Sequence, residues 1–265
     1  MRSLLLALLA TTPALARHTP ETPVTDYSAY VLENNEWRLG PFRVEYGLLD
    51  SLQLSTFPFL WAFKISNGVI KYQPYDTGTH AVSAELGFFQ LDLADFIDES
   101  DQEAGTEYPV LRAIPFTVMG SRRQDDFTFN LGLAFTLVSF DGEVADSDLE
   151  AVGGASTIML KPAIEWRLGP VLALVLEGRV KIYERYSGNV VTTYELDEDS
   201  RIDVYGTGGL ELEGFKGNVS LSAMWSWDVF NLRLGMGRGH YAVPVVNVFI
   251  PAVIWYPEID MYWRF

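Results

Sequence analysis

Apolar and polar side chains alternate with a period of two along much of this chain of 265 residues. Segment 218–227 is the clearest case, because Val, Leu, Ala and Trp occupy every second position and Ser or Met most positions between them. Segment 126–140 repeats the pattern with Phe and Leu opposite Thr, Asn, Gly and Ala. Since successive side chains of a strand point to opposite faces of its sheet, both segments predict strands with one apolar and one polar face.

Such segments predict twelve strands in a single all-β domain. They cover residues 27–33, 36–47, 51–57, 67–74, 80–91, 109–119, 126–140, 156–167, 171–184, 203–213, 218–240 and 254–265. The segment 218–240 is long, and its apolar row changes parity near Val229, which a β-bulge would explain. Breaks at 227–230 and 235–240 would instead give fourteen strands. We keep twelve, because Pro244 and the lack of a polar face at 242–250 argue against another membrane strand there.

The connections between these strands fall into two classes by length. Short ones are predicted at 48–50, 73–78, 120–125, 169–170 and 214–217, and long ones at 92–107, 141–155 and 185–202. With an even number of antiparallel strands, all short connections lie at one rim of a closed barrel and all long ones at the other. The pattern therefore predicts a transmembrane antiparallel up-and-down β-barrel.

Composition indicates what surrounds the apolar faces. Aromatic residues make up 14% of the chain, yet its mean hydropathy is only +0.09, too low for a helical membrane protein. The longest apolar stretch after residue 16, at 241–257, is interrupted by Pro244, Asn247 and Pro251. A soluble β-sandwich would also alternate, but many strands with a fully apolar row favour contact with lipid.

The two ends of the chain carry targeting patterns. Arg2 precedes an apolar run at 4–10, and Ala14-Leu15-Ala16 supplies small residues before a cleavage site, so residues 1–16 are predicted to be a secretory signal peptide and 17–265 the barrel. At the other end one face of the last strand is apolar and finishes with an aromatic residue. That face consists of Ile259, Met261, Trp263 and Phe265.

This ending resembles the C-terminal assembly signal of bacterial outer-membrane β-barrel proteins. The resemblance implies the outer membrane of a Gram-negative bacterium, contact with its lipid and lipopolysaccharide, and recognition by the barrel assembly machinery. The stretch 47–54 also looks like the Gly-apolar-Thr-Asp hairpin turn of many channel-like barrels, although Leu49 replaces the Thr. These motifs concern location and identify no particular family, so no functional residue is carried over from them.

Charge excludes some partners and cofactors. The net charge is −16 at pH 7, and nucleic acid, whose phosphates need Lys and Arg, is therefore not expected as a partner. Carboxylates are concentrated in the three long connections and suit Ca²⁺ or Mg²⁺, but no stretch has the Asp-x-Asp-x-Asp-Gly spacing of a calcium loop. We predict no metal and no cofactor. The absence of Cys excludes disulfides.

Alternation predicts a set of charged side chains that face the barrel interior. They are Arg43, Glu45, Lys71, Glu85, Lys161, Glu165, Arg167, Glu177, Arg179, Lys181, Glu211, Asp260 and Arg264. Side chains can fill the interior of an eight-stranded barrel, and a barrel of twelve strands encloses more space. We therefore predict a narrow porin-like channel for small polar solutes, selected by diameter and by lining charge. The apolar stretch 241–257 would either constrict it or face lipid or a partner.

Two alternatives to the channel remain at this point. In the first, salt bridges fill the interior, and the closed barrel has a structural role or binds other surfaces through its acidic loops. The second is a lipid-active enzyme of the outer membrane, for which His80 and His240 are the candidate bases. Neither lies in the His-x-Ser-Asn context that resembles those enzymes, so the sequence predicts no catalytic residue.

Overall fold

The computed structural model describes residues 24–96, 108–144, 149–197, 200–207, 217–239 and 254–265. Nearly all of the regular structure in these ranges is β. The strands are β1 (Trp37–Leu39), β2 (Val44–Leu49), β3 (Leu52–Thr56), β4 (Ile65–Asp76), β5 (His80–Asp92), β6 (Val110–Gln124), β7 (Phe127–Val144), β8 (Leu149–Arg167), β9 (Leu172–Asp197), β10 (Ser200–Thr207), β11 (Gly217–Trp227), β12 (Phe230–Gly239) and β13 (Ile254–Arg264). A single helical turn, α1 (Pro58–Trp61), joins β3 to β4.

These strands form one closed antiparallel barrel. Except for β10 and β11, neighbours in the chain are neighbours in the sheet, and the barrel closes where β13 pairs with β1, with Trp263 opposite Leu39. Both β10 and β11 pair with β9, β10 toward the far end of β9 and β11 near its start. They therefore share one position, and the barrel has twelve positions around its circumference, which confirms the predicted fold class.

The count of twelve is right, but three of the predicted segments are divided differently. Residues 27–33 form no strand. Segment 36–47 contains two strands, β1 and β2, because the chain reverses at residues 40–43, where Gly40 donates its N–H to the carbonyl of Arg43 at 3.0 Å. Segment 218–240 also contains two, β11 and β12, joined at Asp228 and Val229. The change of parity near Val229 is therefore a hairpin turn and not a bulge, whereas the break considered at 235–240 is absent because β12 continues to Gly239.

One rim of the barrel carries short connections, as the sequence predicted. Residues 50–51, 77–79, 125–126, 168–171 and 228–229 make the connections of one rim, and Trp37 pairs there with Phe265. The other rim carries α1 and the connection between β5 and β6. The connection expected at 214–217 lies, apart from Gly217, outside the described residues. β10 and β11 both run antiparallel to β9 and so in the same direction.

Two of the three predicted long loops are mostly strand. Val144 still pairs with Leu149, and Asp197 with Ser200, so β7 to β10 continue as a paired sheet through most of 141–155 and 185–202. Val, Thr and Tyr at 190–194 have high β-propensity, which accounts for this extension. The third loop falls largely outside the described residues, as do residues 1–23 and the stretch 240–253.

The barrel has an apolar outside and a polar inside. Leu137 is 60% exposed and Leu221 58%, whereas Ser222 is 2% exposed and Thr128 1%. This distribution is the reverse of a water-soluble protein, where large apolar side chains are buried. No described helix has both the length and the apolar character needed to cross a membrane.

Candidate functional site

A piece of the chain itself lies inside the barrel. Residues 24–32, called the lumen segment below, precede β1 and are mostly buried. Ala29 donates its backbone N–H to Ser121 Oγ on β6 at 2.7 Å, and Leu32 donates to Gln53 Oε1 on β3 at 2.9 Å. Lys71 Nζ on β4 donates to the carbonyls of residues 28 and 30 at 2.6 and 2.8 Å. Side chains of the wall thus bind backbone groups of residues 28, 29, 30 and 32.

Sequence reasoning assigned most of this segment to a strand. A membrane strand needs one polar face, but residues 27–33 place aromatic or apolar side chains on both faces. This lack of alternation is the sequence feature that distinguishes the lumen segment from a membrane strand. Because the interior of the barrel contacts the segment from several directions, its own side chains need no single apolar face.

Its two tyrosines lie against cations. Arg179 Nε donates to Tyr27 Oη, and the Tyr27 ring also has Lys161 Nζ at 5.6 Å from its centroid. The guanidinium of Arg123 lies 3.3 Å from the centroid of Tyr30. Cation–π contacts of this kind contribute about 0.5–2 kcal/mol each. The segment is therefore attached at two levels of the lumen by aromatic rings.

A charge cluster fixes the start of the segment to the closing seam of the barrel. Arg38 on β1 binds Asp26 at 2.8 Å, Glu45 at 3.0 Å and Asp260 at 2.6 Å. Arg43 binds Glu45 at 2.9 Å and Asp26 at 3.2 Å. Burial disfavours the charged form of Asp26, but Arg43 and Arg38 outweigh that effect and hold the pKa of its carboxyl well below its usual range.

Arg38 was absent from the predicted lining. If residues 36–47 were one strand, Arg38 and Arg43 would face opposite sides, since their separation is odd. The reversal at 40–43 puts both side chains inside, where they share Asp26 and Glu45. Locating this turn from Gly40-Pro41 would have recovered Arg38 from the sequence.

A second cluster lies across β9, β12 and β13. Arg233 binds Glu177 at 2.8 Å and Glu258 at 3.1 Å, and its Nε donates to Ser222 at 2.7 Å. Glu177 also accepts from Thr25 of the lumen segment. Arg233 and Glu258 were not predicted, although the polar row opposite Leu232 and Leu234 would have placed Arg233 inside.

A third cluster lies on β7 and β8. Glu165 is fully buried, binds Arg167 at 3.0 Å and accepts from Asn130 at 3.0 Å. Arg167 in turn donates to Thr128 at 2.8 Å. These four side chains come from adjacent strands and face the same interior.

All but one of the predicted interior residues lie in the described part of the chain, and they are at least partly buried. Arg43, Glu45, Lys71, Glu165, Arg167 and Glu177 are buried, and Glu85, Lys161, Arg179, Lys181, Asp260 and Arg264 are partly buried. Lys181 pairs with Glu184 and Arg264 with Glu36. Glu211 lies outside the described residues. Whether these side chains line a path for solutes stays a prediction.

The C-terminal strand places its two rows as alternation requires. Ile259 and Phe265 are exposed, and Met261 and Trp263 lie on the same outer row, while Tyr262 is buried inside. Their role as an assembly signal stays a prediction. Trp255, which was grouped with the apolar stretch 241–257, belongs to β13 and is exposed.

Little space remains between the lumen segment and the wall near β1 to β4. The cavity there has a volume of about 20 Å³, which is room for a water molecule but not for a solute. A larger cavity of about 480 Å³ lies toward the other rim, beside β12 and β13. Among the described residues, no group of three or more His, Asp or Glu side chains could hold a metal ion.

The closed barrel, its apolar outer surface and its charged interior define a transmembrane antiparallel β-barrel. No protein-family model matches the sequence, and no curated protein matches it. Among solved structures, CdiB from Acinetobacter baumannii is similar over 87% of this chain and 59% of its own, with 12% identity and a TM-score of 0.32. The chain therefore spans less than two thirds of that structure, and a similarity this weak carries no argument about function.

Proposed function

We propose that this protein is an integral barrel of the bacterial outer membrane that forms a narrow, porin-like channel for small polar solutes, with the lumen segment holding it closed. The observation that supports this is the way the segment is held. Many of its contacts with the wall are hydrogen bonds, ion pairs and cation–π contacts, for example from Lys71 and Arg123. Apolar packing is confined to two small clusters, in which Val24 lies with Met224 and Ala29 with Met119. Water can replace the polar contacts when the segment moves.

The wall beneath the segment has the character of a channel lining. Lys71, Lys161 and Arg179 face the same interior as Glu85 and Glu177, so displacement of the segment would expose charges of both signs to water. Rings of charged side chains select solutes by local field and by diameter. The proposed selectivity therefore resides in these side chains and not in the segment.

The proposal includes location and partners. It takes residues 1–16 as a signal peptide and the row ending in Phe265 as the feature read by the assembly machinery. It places outer-membrane lipid and lipopolysaccharide around the apolar surface. It assigns no catalytic residue: His80, one candidate base, is exposed beside the turn at 77–79, and His240 lies outside the described residues.

A permanently closed barrel is the second candidate, and the tight packing of the lumen segment favours it. The cavity beside β1 to β4 has a volume of only about 20 Å³, which is too small for a solute. Such a barrel would have a structural role or bind other surfaces through the acidic extensions of β7 to β10. A lipid-active enzyme is the third candidate, and hydrolysis of lipid by the purified protein would support it.

Conductance in planar bilayers separates the first two candidates. We expect rare or small current steps from the intact barrel and frequent discrete steps from a variant that lacks residues 24–32. A variant that keeps the segment but carries Asp125→Asn in an exposed turn is the control and should behave as the intact barrel. If the shortened variant folds, as shown by its migration on unheated gels, and yet gives no steps, the channel proposal is wrong.

A further inference from the structure

The strands of the barrel wall are short on one side. The strands β1, β2 and β3 have three, six and five residues, whereas the flanking strands β13 and β4 have eleven and twelve. β13 pairs with β1 only at Trp263 and Arg264. On that side, residues 254–262 of β13 therefore have no strand partner within the described part of the chain. We call this interval above β1 to β3, between β13 and β4, the side notch.

Aromatic side chains surround the notch. The connection that carries α1 folds onto the turn between β1 and β2, where Phe59 donates its backbone N–H to the Pro41 carbonyl at 3.1 Å. The Phe42 and Phe59 rings are 5.7 Å apart, and both are exposed on the outer surface. A strand edge facing lipid needs cover, because hydrocarbon cannot satisfy its backbone groups. Here the only described cover is this aromatic connection.

The cavity of about 480 Å³ passes through the notch. Its inner wall carries charged side chains, including Arg43, Arg179 and Arg233. Its outer wall includes Phe42, Phe59 and Ile259, which belong to the apolar surface of the barrel. One continuous space therefore joins the polar lumen to the surface that lipid covers.

Pairing leaves one charge of the inner wall without a counterion. Glu177 and Glu258 bind Arg233, while Asp26 and Asp260 bind Arg38. Each carboxylate of the cavity thus has an arginine partner.

Arg179 has no carboxylate partner among the described residues, and its Nε donates only to the neutral hydroxyl of Tyr27. The two terminal nitrogens of its guanidinium form a fork suited to a carboxylate or phosphate.

We propose that the side notch binds a single-chain fatty carboxylate that enters from the surrounding bilayer. Its carboxylate pairs with Arg179, and its chain lies between Phe42, Phe59 and Ile259. A volume of about 480 Å³ is in the range that holds one small amphiphile, since ligand pockets span about 300–1,000 Å³. Binding there needs no passage along the barrel axis, so this proposal does not depend on the channel experiment.

Electron paramagnetic resonance of spin-labelled lipids tests the site. The barrel is reconstituted in vesicles of zwitterionic phospholipid with spin-labelled stearate or with the uncharged alcohol of the same chain length. We expect saturable immobilisation of about one stearate per barrel, and at least about tenfold weaker binding of the alcohol, because a hydrogen bond to a charged group contributes roughly that factor.

Three variants locate the binding in the notch. Arg179→Gln should abolish the preference for stearate, and Arg179→Lys should retain part of it. Arg122→Gln, on an exposed arginine near the opposite rim, should leave it unchanged. Ile259→Trp, which narrows the mouth without touching a charge, should weaken both probes.

The proposal is overturned if stearate and alcohol bind equally, or if neither saturates. It is overturned equally if Arg122→Gln acts like Arg179→Gln, or if a two-chain phospholipid probe competes as well as stearate. Unheated-gel migration shows that each variant is folded before its spectrum is compared.

Discussion

Buried charges in this barrel depend on partners from neighbouring strands, and Glu165 is the most enclosed of them. Its carboxylate has no exposure and is held by Arg167 and Asn130. The pair itself contributes little net stability, since removing both charges from water costs about as much as their attraction returns. Removing only one partner is different, because the other is then buried without compensation.

Glu165→Ala should therefore lower the free energy of unfolding by about 3–5 kcal/mol, measured by urea titration in lipid vesicles. The double variant Glu165→Ala with Arg167→Met should lose clearly less than the single one. Asp125→Asn is the control, because an exposed turn residue with positive φ accepts Asn without strain. Equal losses in the single and double variants would contradict the assigned pairing.

Lys71 is the residue that most directly holds the lumen segment, since it donates to the carbonyls of both Ser28 and Tyr30. The chain has no Cys, so a single introduced thiol is the only one present. With Ser28→Cys, we expect slow modification by a water-soluble maleimide, because Ser28 is fully buried.

Adding Lys71→Met should raise that rate about tenfold, as expected for loss of about 1.5 kcal/mol from a charged hydrogen bond. Lys64→Met, on the connection that carries α1, is the matched control. An unchanged rate in the Lys71 variant would mean that the segment is held mainly by its other contacts.

At the scale of single elements, glycine decides how β12 packs against β13. A side chain at Gly237 would overlap the ring of Tyr256, which covers this glycine from the neighbouring strand. Aromatic cover of a strand glycine is a known way to fix register in sheets. Gly68 on β4 has open space where a side chain would lie.

Gly237→Val should therefore destabilise the barrel by about 1 kcal/mol, because the Tyr256 ring must turn away, whereas Gly68→Val should be close to neutral. Urea titration of both variants measures the difference. Replacing Tyr256 by Ala together with Gly237→Val should restore part of the loss. A neutral Gly237→Val would show that β12 and β13 can separate at this point without cost.

The sequence predicts elements well where alternation is strict and poorly where the chain reverses inside an alternating stretch. Segments 80–91, 126–140 and 171–184 agree with β5, β7 and β9 to within one residue at their starts, because one row of each is mostly apolar. The turns at 40–43 and 228–229 are tight, so alternation resumes after each with only a change of parity. A bulge produces the same change of parity, so the sequence alone does not distinguish a bulge from a turn at Val229.

The candidate site was predictable in part for the same reason. Side chains within strands, such as Glu165 and Glu177, follow from the period of two. The lumen segment follows only in part, since the lack of alternation in residues 27–33 argues against a membrane strand but does not place these residues inside the barrel. The side notch also escapes prediction, because it results from short strands whose bounds only the pairing defines.

At the scale of the whole molecule, the position of the bilayer follows from depth along the strands. Leu221 lies in the middle of β11 and is strongly exposed, whereas Leu168 lies in a turn at the short-connection rim. An arginine on the lipid face costs about 2–4 kcal/mol at the bilayer midplane and falls to about 0–1 kcal/mol near the interface.

Leu221→Arg should accordingly lower the free energy of unfolding in vesicles by about 2–4 kcal/mol, and Leu168→Arg by less than about 1 kcal/mol. Urea titration in the same vesicles measures both. In water an arginine would be tolerated at either exposed position. The difference in unfolding free energy between the two variants therefore depends on hydrocarbon around the middle of the barrel. Equal, small effects at the two positions would mean that the apolar surface is not covered by lipid, and both the channel and the side notch would lose their basis.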